Sequence, residues 1–181
     1  MANAALLSLY KLKRSQYTQN PAPTVSSLQH QGYINAHNET CNNTLFAMFY
    51  LGDYDSSSWV YQALRSNFDD AARGQVKLGW AIDPGLSLRF PVVFDYMFDR
   101  LTHNDRIVAG DSGAGYLNPN YLIAPRPSGL PSAVGLWQSF NSQLYQKFDY
   151  TFTGFIINGN TSLSRAGEDM YCGFSSAGIV T

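Results

Sequence analysis

Apolar runs of strand length alternate along this chain with segments whose apolar residues recur every three or four positions. Such runs, bounded by turn residues, are typical of strands buried on both faces of a parallel sheet. The intervening spacing is typical of amphipathic helices. The predicted strands are residues 44–51, 76–82, 106–109 and 151–157, with another beginning at 178, and the predicted helices are 56–68, 90–101, 137–148 and a short one at 165–171. The alternation predicts an α/β fold of successive βαβ units with a parallel sheet.

The first 43 residues have a different texture. Residues 2–14 are expected to form a short helix, and residues 15–43, which are polar and contain Pro21 and Pro23, are expected to be a long connection without helix or strand. We therefore divide the chain into an N-terminal helix and connecting segment, residues 1–43, and an α/β domain, residues 44–181. The pattern fits an open doubly wound sheet and part of a (β/α) barrel equally well.

Charge and composition exclude several classes of function. The 12 Lys and Arg residues balance 13 Asp and Glu residues, so the net charge of −1 provides no field to attract nucleic acid. There is no apolar run of membrane-spanning length, so no membrane partner is expected. The three histidines and two cysteines lack zinc-site spacing, so we expect no metal and no cofactor.

Cys41 and Cys172 could pair, but the sequence cannot show it. Three Asn-x-Ser/Thr sequons, at Asn38, Asn42 and Asn160, favour an extracellular or secreted location weakly.

Acidic residues follow three of the predicted strands. Asp53 and Asp55 follow the first strand, Asp83 the second and Asp111 the third. Because the carboxyl ends of parallel strands meet at one edge, these acids are expected to share a rim. Paired carboxylates suit acid/base or nucleophilic attack on a glycosidic bond. Structural roles stay open: Asp55 as a helix cap, Asp83 as a turn opener, and Asp111 bonded to its own loop.

A glycine-rich loop, residues 110–115, follows the third strand and leads to Tyr116. It lacks both the third glycine of a dinucleotide-binding fingerprint and the spacing of a nucleophile elbow, so Ser112 is not expected to be a nucleophile. Aromatic rings can stack on sugars, although a Trp within a strand or helix pattern more often belongs to the core. The candidate substrate-binding residues are Tyr116, Trp59, Trp80, Asp83, Ser112 and Asn118.

Several ordered motifs resemble the GxGYxYP family, whose members are described as glycoside hydrolases. The segment 113–119, Gly-Ala-Gly-Tyr-Leu-Asn-Pro, is similar to the family signature, with Asn118 where the motif has a second tyrosine. Residues 51–55, 78–84, 155–159 and 175–180 are similar to further family segments. The resemblance implies a barrel-like C-terminal domain of which this chain is the earlier, C-terminally incomplete part. The rest of the barrel, or a partner chain, would then cover the open sheet edge.

The leading hypothesis is a glycoside hydrolase that acts on a poly- or oligosaccharide. Asp53 and Asp111 are the first candidates for the acid and for the nucleophile or base, and Asp55 orients them or exchanges roles. One alternative is a non-catalytic carbohydrate-binding module or an inactive, truncated domain. A second alternative is a metal-dependent deacetylase that uses His37 or His103 with Asp53 and Asp55.

Overall fold

A parallel sheet of three strands forms the centre of the fold. The computed structural model describes residues 4–41, 43–159 and 161–180. Its strands β1 (Tyr50–Tyr54), β2 (Leu78–Ile82) and β3 (Asp105–Val108) lie in the order β1-β2-β3, and both pairings are parallel. The strands therefore end at the same edge, which confirms the α/β class and the parallel sheet predicted from the sequence.

Two shorter strands continue the same direction. β4 (Phe152–Thr153) pairs in parallel with β5 (Gly178–Ile179). A parallel bridge between Ala109 and Thr153 connects this pair to the end of β3, through hydrogen bonds from Ala109 N–H to the Phe152 carbonyl (3.0 Å) and from Gly154 N–H to the Ala109 carbonyl (2.6 Å). The described strands do not close into a barrel, so the barrel-like architecture stays a prediction.

Two short helices precede the strands, and the helices after β1 lie where the apolar spacing predicts them. They are α1 (Ala4–Leu7), α2 (Val25–His30), α3 (Ser57–Trp59), α4 (Arg65–Phe68), α5 (Val92–Phe98), α6 (Val134–Phe148) and α7 (Arg165–Tyr171), with a π-helical turn at Val60–Leu64 and 3-10 turns at Pro84–Leu88 and Pro119–Leu122. The segment 57–68 is thus helical throughout, with the wider turn in its middle. None of the described helices is both long and apolar enough to cross a membrane.

The first strand lies further along the chain than the apolar run 44–51 predicts. β1 begins at Tyr50, and the preceding apolar side chains are exposed, Leu45 at 91 % and Phe49 at 66 %. The reason is the neighbouring strand: β2 begins at Leu78, and its first partner in β1 is Tyr50, opposite Gly79. Residues 44–48 therefore have no strand of the sheet beside them.

Three other elements differ from the predicted ones. The connection 15–43 contains α2, whose start is fixed by a capping box between Thr24 and Ser27. The predicted helix 2–14 is limited to α1 within the described residues, with residues 2 and 3 outside them. The predicted strand 151–157 is reduced to the two residues of β4, and Thr181 of the last predicted strand lies outside the described residues.

Part of the N-terminal segment packs into the α/β unit. Tyr17 is buried in the core, and its hydroxyl donates to the Asp95 carboxylate (2.6 Å). Gln19 adds to the edge of β3, because its amide nitrogen donates to the Ile107 carbonyl (2.9 Å) and its oxygen accepts from Ile107 N–H (2.6 Å). Residues on both sides of the predicted boundary after residue 43 therefore contribute to one core. The division of the chain into two domains at this point stays a prediction.

Candidate active site

The carboxyl edge of the sheet brings four acidic residues together. Asp53 and Asp55 stand at the end of β1, Asp83 directly follows β2, and Asp111 follows β3 after a short turn of the chain. They are near enough for the charges of Asp55, Asp83 and Asp53 each to raise the pKa of Asp111. The structure thus places these predicted site residues at one rim.

Asp111 is the most buried of these acids. Only 1 % of its surface is exposed, and neither carboxylate oxygen accepts a hydrogen bond from any described residue. Burial first, and then the charges of Asp55, Asp83 and Asp53, raises its pKa to about 7. Its backbone is left-handed, with φ of 56°. A buried carboxyl without a partner, held in an uncommon conformation, is typical of a functional position.

Asp83 is also buried, but its carboxylate is hydrogen-bonded. Oδ1 accepts from Gly85 N–H (2.6 Å), which caps the 3-10 turn, and from Gly115 N–H (3.2 Å) in the glycine-rich loop. Burial is the largest effect on Asp83 and raises its pKa to about 6, and the charge of Asp55 also raises the pKa. The two hydrogen bonds and the charge of Arg89 act in the opposite direction and lower it. The turn-opening role that the sequence left open for Asp83 is therefore present in the structure.

The two acids of β1 have different surroundings. Asp53 is exposed and has a left-handed φ of 66°, at an irregularity in the β1–β2 register between Leu51 and Tyr54. Asp55 is partly buried. The N-cap of the following helix is Ser56, whose Oγ accepts from Trp59 N–H (3.2 Å), so the cap does not require Asp55. Asp55 is thus left free to act at the rim.

The glycine-rich loop is fixed from two sides by side chains. Ala114 N–H donates to Asn141 Oδ1 (2.7 Å), and Gly115 N–H donates to Asp83 Oδ1. Asn141 lies on α6, is fully buried, and returns its own amide hydrogen to the Trp137 carbonyl (2.9 Å). A Cβ at Gly113 would come within 2.5 Å of Asn141 Oδ1, so the loop lies directly against α6. These two N–H groups are used within the protein and are therefore not free to hold a phosphate.

Sequence reasoning missed Asn141. The buried face of α6 is otherwise formed by apolar and aromatic side chains, and Asn141 lies on that face between Trp137 and Leu144. A polar residue on the apolar stripe of a helix must find a buried partner, and that requirement is the feature that could have identified it.

Ser112, Trp80 and Asn118 make hydrogen bonds within the protein, and their predicted substrate contacts stay predictions. Ser112 is fully buried; its Oγ accepts from Ile157 N–H (2.8 Å), and its carbonyl accepts from the Tyr171 hydroxyl (2.9 Å). Trp80 is buried in the core and donates from Nε1 to Asp105 (2.9 Å).

Asn118 connects two loops at the same edge. Its Oδ1 accepts from Asn120 N–H (3.0 Å), and its Nδ2 donates to the Asn158 carbonyl (3.0 Å). The exposed aromatic candidates are Tyr116, 68 % exposed, and Trp59, 49 % exposed. Only these two of the three predicted aromatic contacts have ring surface available to a ligand.

Metal-binding groups are not assembled in the part of the chain that the structure describes. No set of three or more His, Cys, Asp and Glu side chains there is arranged to hold an ion, and His37 and His103 are both exposed. Cys41 and Cys172 are both free thiols. These observations give the deacetylase hypothesis no support.

The fold and the rim define an α/β protein whose parallel sheet presents acidic residues at its carboxyl edge. The family described as "GxGYxYP putative glycoside hydrolase C-terminal domain" matches residues 43–177, and the chain belongs to this family. The match confirms the resemblance inferred from the motifs. The family description names the general class, glycoside hydrolase, and neither a substrate nor catalytic residues.

A solved structure is similar in fold. A "putative hydrolase" from Bacteroides thetaiotaomicron VPI-5482 superposes with a TM-score of 0.62 at 19 % sequence identity over 84 % of this chain. The match covers 26 % of that protein, so the present chain spans about a quarter of its length. No curated protein matches the chain.

Proposed function

We propose that this chain forms a catalytic domain of glycoside hydrolase type that acts on a poly- or oligosaccharide through the strand-end acids. The observation that carries the proposal is the buried carboxyl of Asp111, which lacks a hydrogen-bond partner among the described residues and faces the charges of three other acids. Membership of the GxGYxYP family supports the reaction class.

Asp111 would act as the general acid. A glycosidase must protonate the leaving oxygen, and a carboxyl with a pKa of about 7 keeps a substantial protonated fraction at neutral pH. No described donor occupies its oxygens, so the proton is not held by an internal hydrogen bond; both oxygens are buried, so its delivery would require the rim to open for the substrate. The acid at the end of β3 thus has the property that this step needs.

Asp55 would be the partner carboxylate, with Asp53 as the second choice. Among the charges that raise the pKa of Asp111, that of Asp55 has the largest effect and that of Asp53 the smallest. Asp55 is also partly buried whereas Asp53 is exposed, so a bound sugar would exclude water from Asp55 more readily. This ranking reverses the preference for Asp53 that the sequence suggested.

Tyr116 and Trp59 would stack on sugar rings beside these acids. Tyr116 belongs to the loop that Asp83 and Asn141 fix, so its backbone is held although its ring is exposed. A ring presented on a rigid loop loses little conformational entropy on binding.

The test uses two kinds of glycoside. Asp111→Asn should lose activity about 10²-fold or more on glycosides with a poor leaving group, because general acid catalysis contributes about 10²–10⁴-fold. It should retain most activity on 2,4-dinitrophenyl glycosides, whose leaving group needs no proton. Asp55→Asn should lose both activities, and Asp169→Asn on the exposed face of α7 is the matched control.

The same assay distinguishes the alternatives. Equal loss on both kinds of glycoside in Asp111→Asn would contradict the general-acid role. Oligosaccharide binding without hydrolysis by the unaltered chain, unchanged in Asp111→Asn and Asp55→Asn, would assign the chain to the carbohydrate-binding alternative.

The open edge of β1 would be covered by a further strand, from the rest of a longer family protein or from a partner chain. β1 pairs only with β2 among the described strands, and the exposed apolar side chains of Leu45, Phe46, Met48 and Phe49 precede it. Such an edge promotes self-association when it is uncovered. Leu45→Lys together with Phe49→Lys should therefore reduce self-association of the 181-residue chain in light scattering, and no change would contradict this role of the edge.

An extracellular location is proposed on the sequons alone. Asn38 lies on an exposed turn, whereas Asn42 and Asn160 lie outside the described residues. A glycan on Asn38, detected by mass spectrometry of the chain from its natural source, would support this location. Recovery of the chain from the cytosol would contradict it.

A further inference from the structure

One residue, Asp83, contacts the ends of neighbouring elements at the acidic rim, through its backbone on one side and its side chain on the other. Asp83 N–H donates to the Tyr54 carbonyl at the end of β1 (3.0 Å), and Asp83 itself ends β2. Its Oδ1 reaches across to Gly115 N–H, in the loop that follows β3. The Asp83 side chain therefore links the end of β2 to the loop that follows β3.

The hydrogen bond to Asp83 is made by a residue of the loop with an uncommon backbone conformation. Gly115 has a φ of 120°, a conformation that glycine adopts readily and other residues do not. The next residue is Tyr116, which is the exposed aromatic ring of the rim. A free loop of this composition would sample many conformations, so the hydrogen bond from Gly115 N–H to Asp83 restricts the turn that leads to Tyr116.

We propose that Asp83 is a positioning residue of the site: its Oδ1 accepts from Gly115 N–H and so holds the turn that presents Tyr116, at the same edge of the sheet as Asp111. Asp83 would then not bind substrate directly, as the sequence suggested, but would act through Gly115 and Asp111. The proposal rests on the proposed function only in its consequence for catalysis.

Charged and titratable groups from each neighbouring element act on Asp83. Asp55 from the end of β1 raises its pKa, Arg89 after the 3-10 turn lowers it, and the Asp83 charge in turn raises the pKa values of Asp111, of Tyr145 on α6 and of Tyr150. The two acids at the ends of β2 and β3 are thus coupled, and the coupling is absent when Asp83 carries no charge.

Two substitutions separate the two roles. Asp83→Asn removes the charge but keeps an oxygen that can accept from Gly115 N–H, whereas Asp83→Ala removes both. The measurements are amide hydrogen exchange at Gly115 and the titration of the Asp111 carboxyl carbon, both by NMR on the full 181-residue chain. Neither measurement requires the chain to be active.

In Asp83→Ala, exchange at Gly115 should become about tenfold faster or more, since a hydrogen bond to a charged group contributes about 1.5–3 kcal/mol. In Asp83→Asn it should rise less than in Asp83→Ala, because the amide oxygen still accepts from Gly115 N–H although without the charge. Exchange at Ala114, whose N–H is held by Asn141, is the internal control and should change less. The Asp111 titration should move to lower pH in both variants, because a neighbouring negative charge is lost.

Unchanged exchange at Gly115 in Asp83→Ala would overturn the positioning role, and an unmoved Asp111 titration in both variants would overturn the electrostatic role. Where glycosidase activity is present, Asp83→Ala should raise KM through the displaced Tyr116. Asp83→Asn should instead move the basic limb of the pH–rate profile to lower pH. Absence of activity with the NMR changes present would refute the proposed function and leave the role of Asp83 intact.

Discussion

Replacing Asp111 by Asn should stabilise the protein in alkaline solution. Burial raises the pKa of Asp111 to about 7 in the folded chain, whereas an unfolded aspartate has a pKa near its reference value of about 3.9. Between these two pH values the folded state binds more protons than the unfolded state. Stability therefore falls as the pH rises through this window, and above about pH 7 the folded protein carries the full cost of a buried charge.

The size of the effect follows from the separation of the two pKa values. Each unit corresponds to about 1.4 kcal/mol, so a separation of about three units sets an upper limit of about 4 kcal/mol. Asn brings its own buried amide without a partner, which retains part of the cost, so we expect a gain of about 1–3 kcal/mol at pH 8. Asn also tolerates the left-handed φ of 56°, so the substitution adds no backbone strain.

The assay is urea unfolding at pH 4, 6 and 8. Asp111→Asn should exceed the unaltered chain in free energy of unfolding at pH 8, less at pH 6, and by little or nothing at pH 4. Asp99→Asn is the control, and its effect should have the opposite sign. Hydrogen bonds from Lys13 and then Arg14 lower the pKa of Asp99, so the ionised carboxylate stabilises the folded chain. Its replacement should therefore destabilise the protein at pH 8, and less so as the pH falls below about 4. A difference for Asp111→Asn that is independent of pH, or a loss of stability at pH 8, would refute the reasoning.

Two further predictions compare matched positions by thermal unfolding. Gly113→Ala should cost about 3 kcal/mol or more, because φ is 107° and the new Cβ would lie 2.5 Å from a buried side-chain oxygen on α6, whereas Gly129→Ala, with φ of 70° and open space, should cost about 1–2 kcal/mol. Equal losses would contradict the close packing of the loop. Arg73→Ala should cost about 3–5 kcal/mol, because it leaves the buried Asp105 charge without its ion-pair partner. Arg65→Ala removes an exposed ion pair and should cost much less stability than Arg73→Ala. Equal losses in the two variants would contradict a stabilising role of the buried Arg73–Asp105 pair.

The strand ends were predictable from sequence because several features coincide there. At β2, an apolar run stops at Asp83-Pro84-Gly85, and the structure ends the strand at Ile82. At β3, the run leads into the glycine-rich loop, and the strand ends at Val108. Acids that follow such runs reach a common edge whenever the strands are parallel, so the rim follows from local pattern and chain direction.

The start of β1 could not be predicted in the same way. The run 44–51 is apolar throughout, so nothing within it distinguishes a paired residue from an exposed one. The beginning of β2 at Leu78 makes that distinction, and it is a tertiary property. The short helix α2 was missed for a related reason: its stability depends on a capping box of Thr24 and Ser27, which does not differ in composition from an ordinary polar connection.

The hydrogen-bond partners of the rim acids explain why Asp111 differs from Asp83. Both are buried at strand ends of one sheet, yet Asp83 receives two backbone N–H groups and Asp111 receives none from the described residues. Two amides that follow Asp111 in the chain have other partners: Ser112 N–H donates to the Phe155 carbonyl, and Ala114 N–H donates to Asn141 Oδ1. The fold thus leaves one carboxyl without hydrogen bonds next to three others. That arrangement costs stability above neutral pH, and it keeps the Asp111 carboxyl protonated to a higher pH than that of an exposed aspartate.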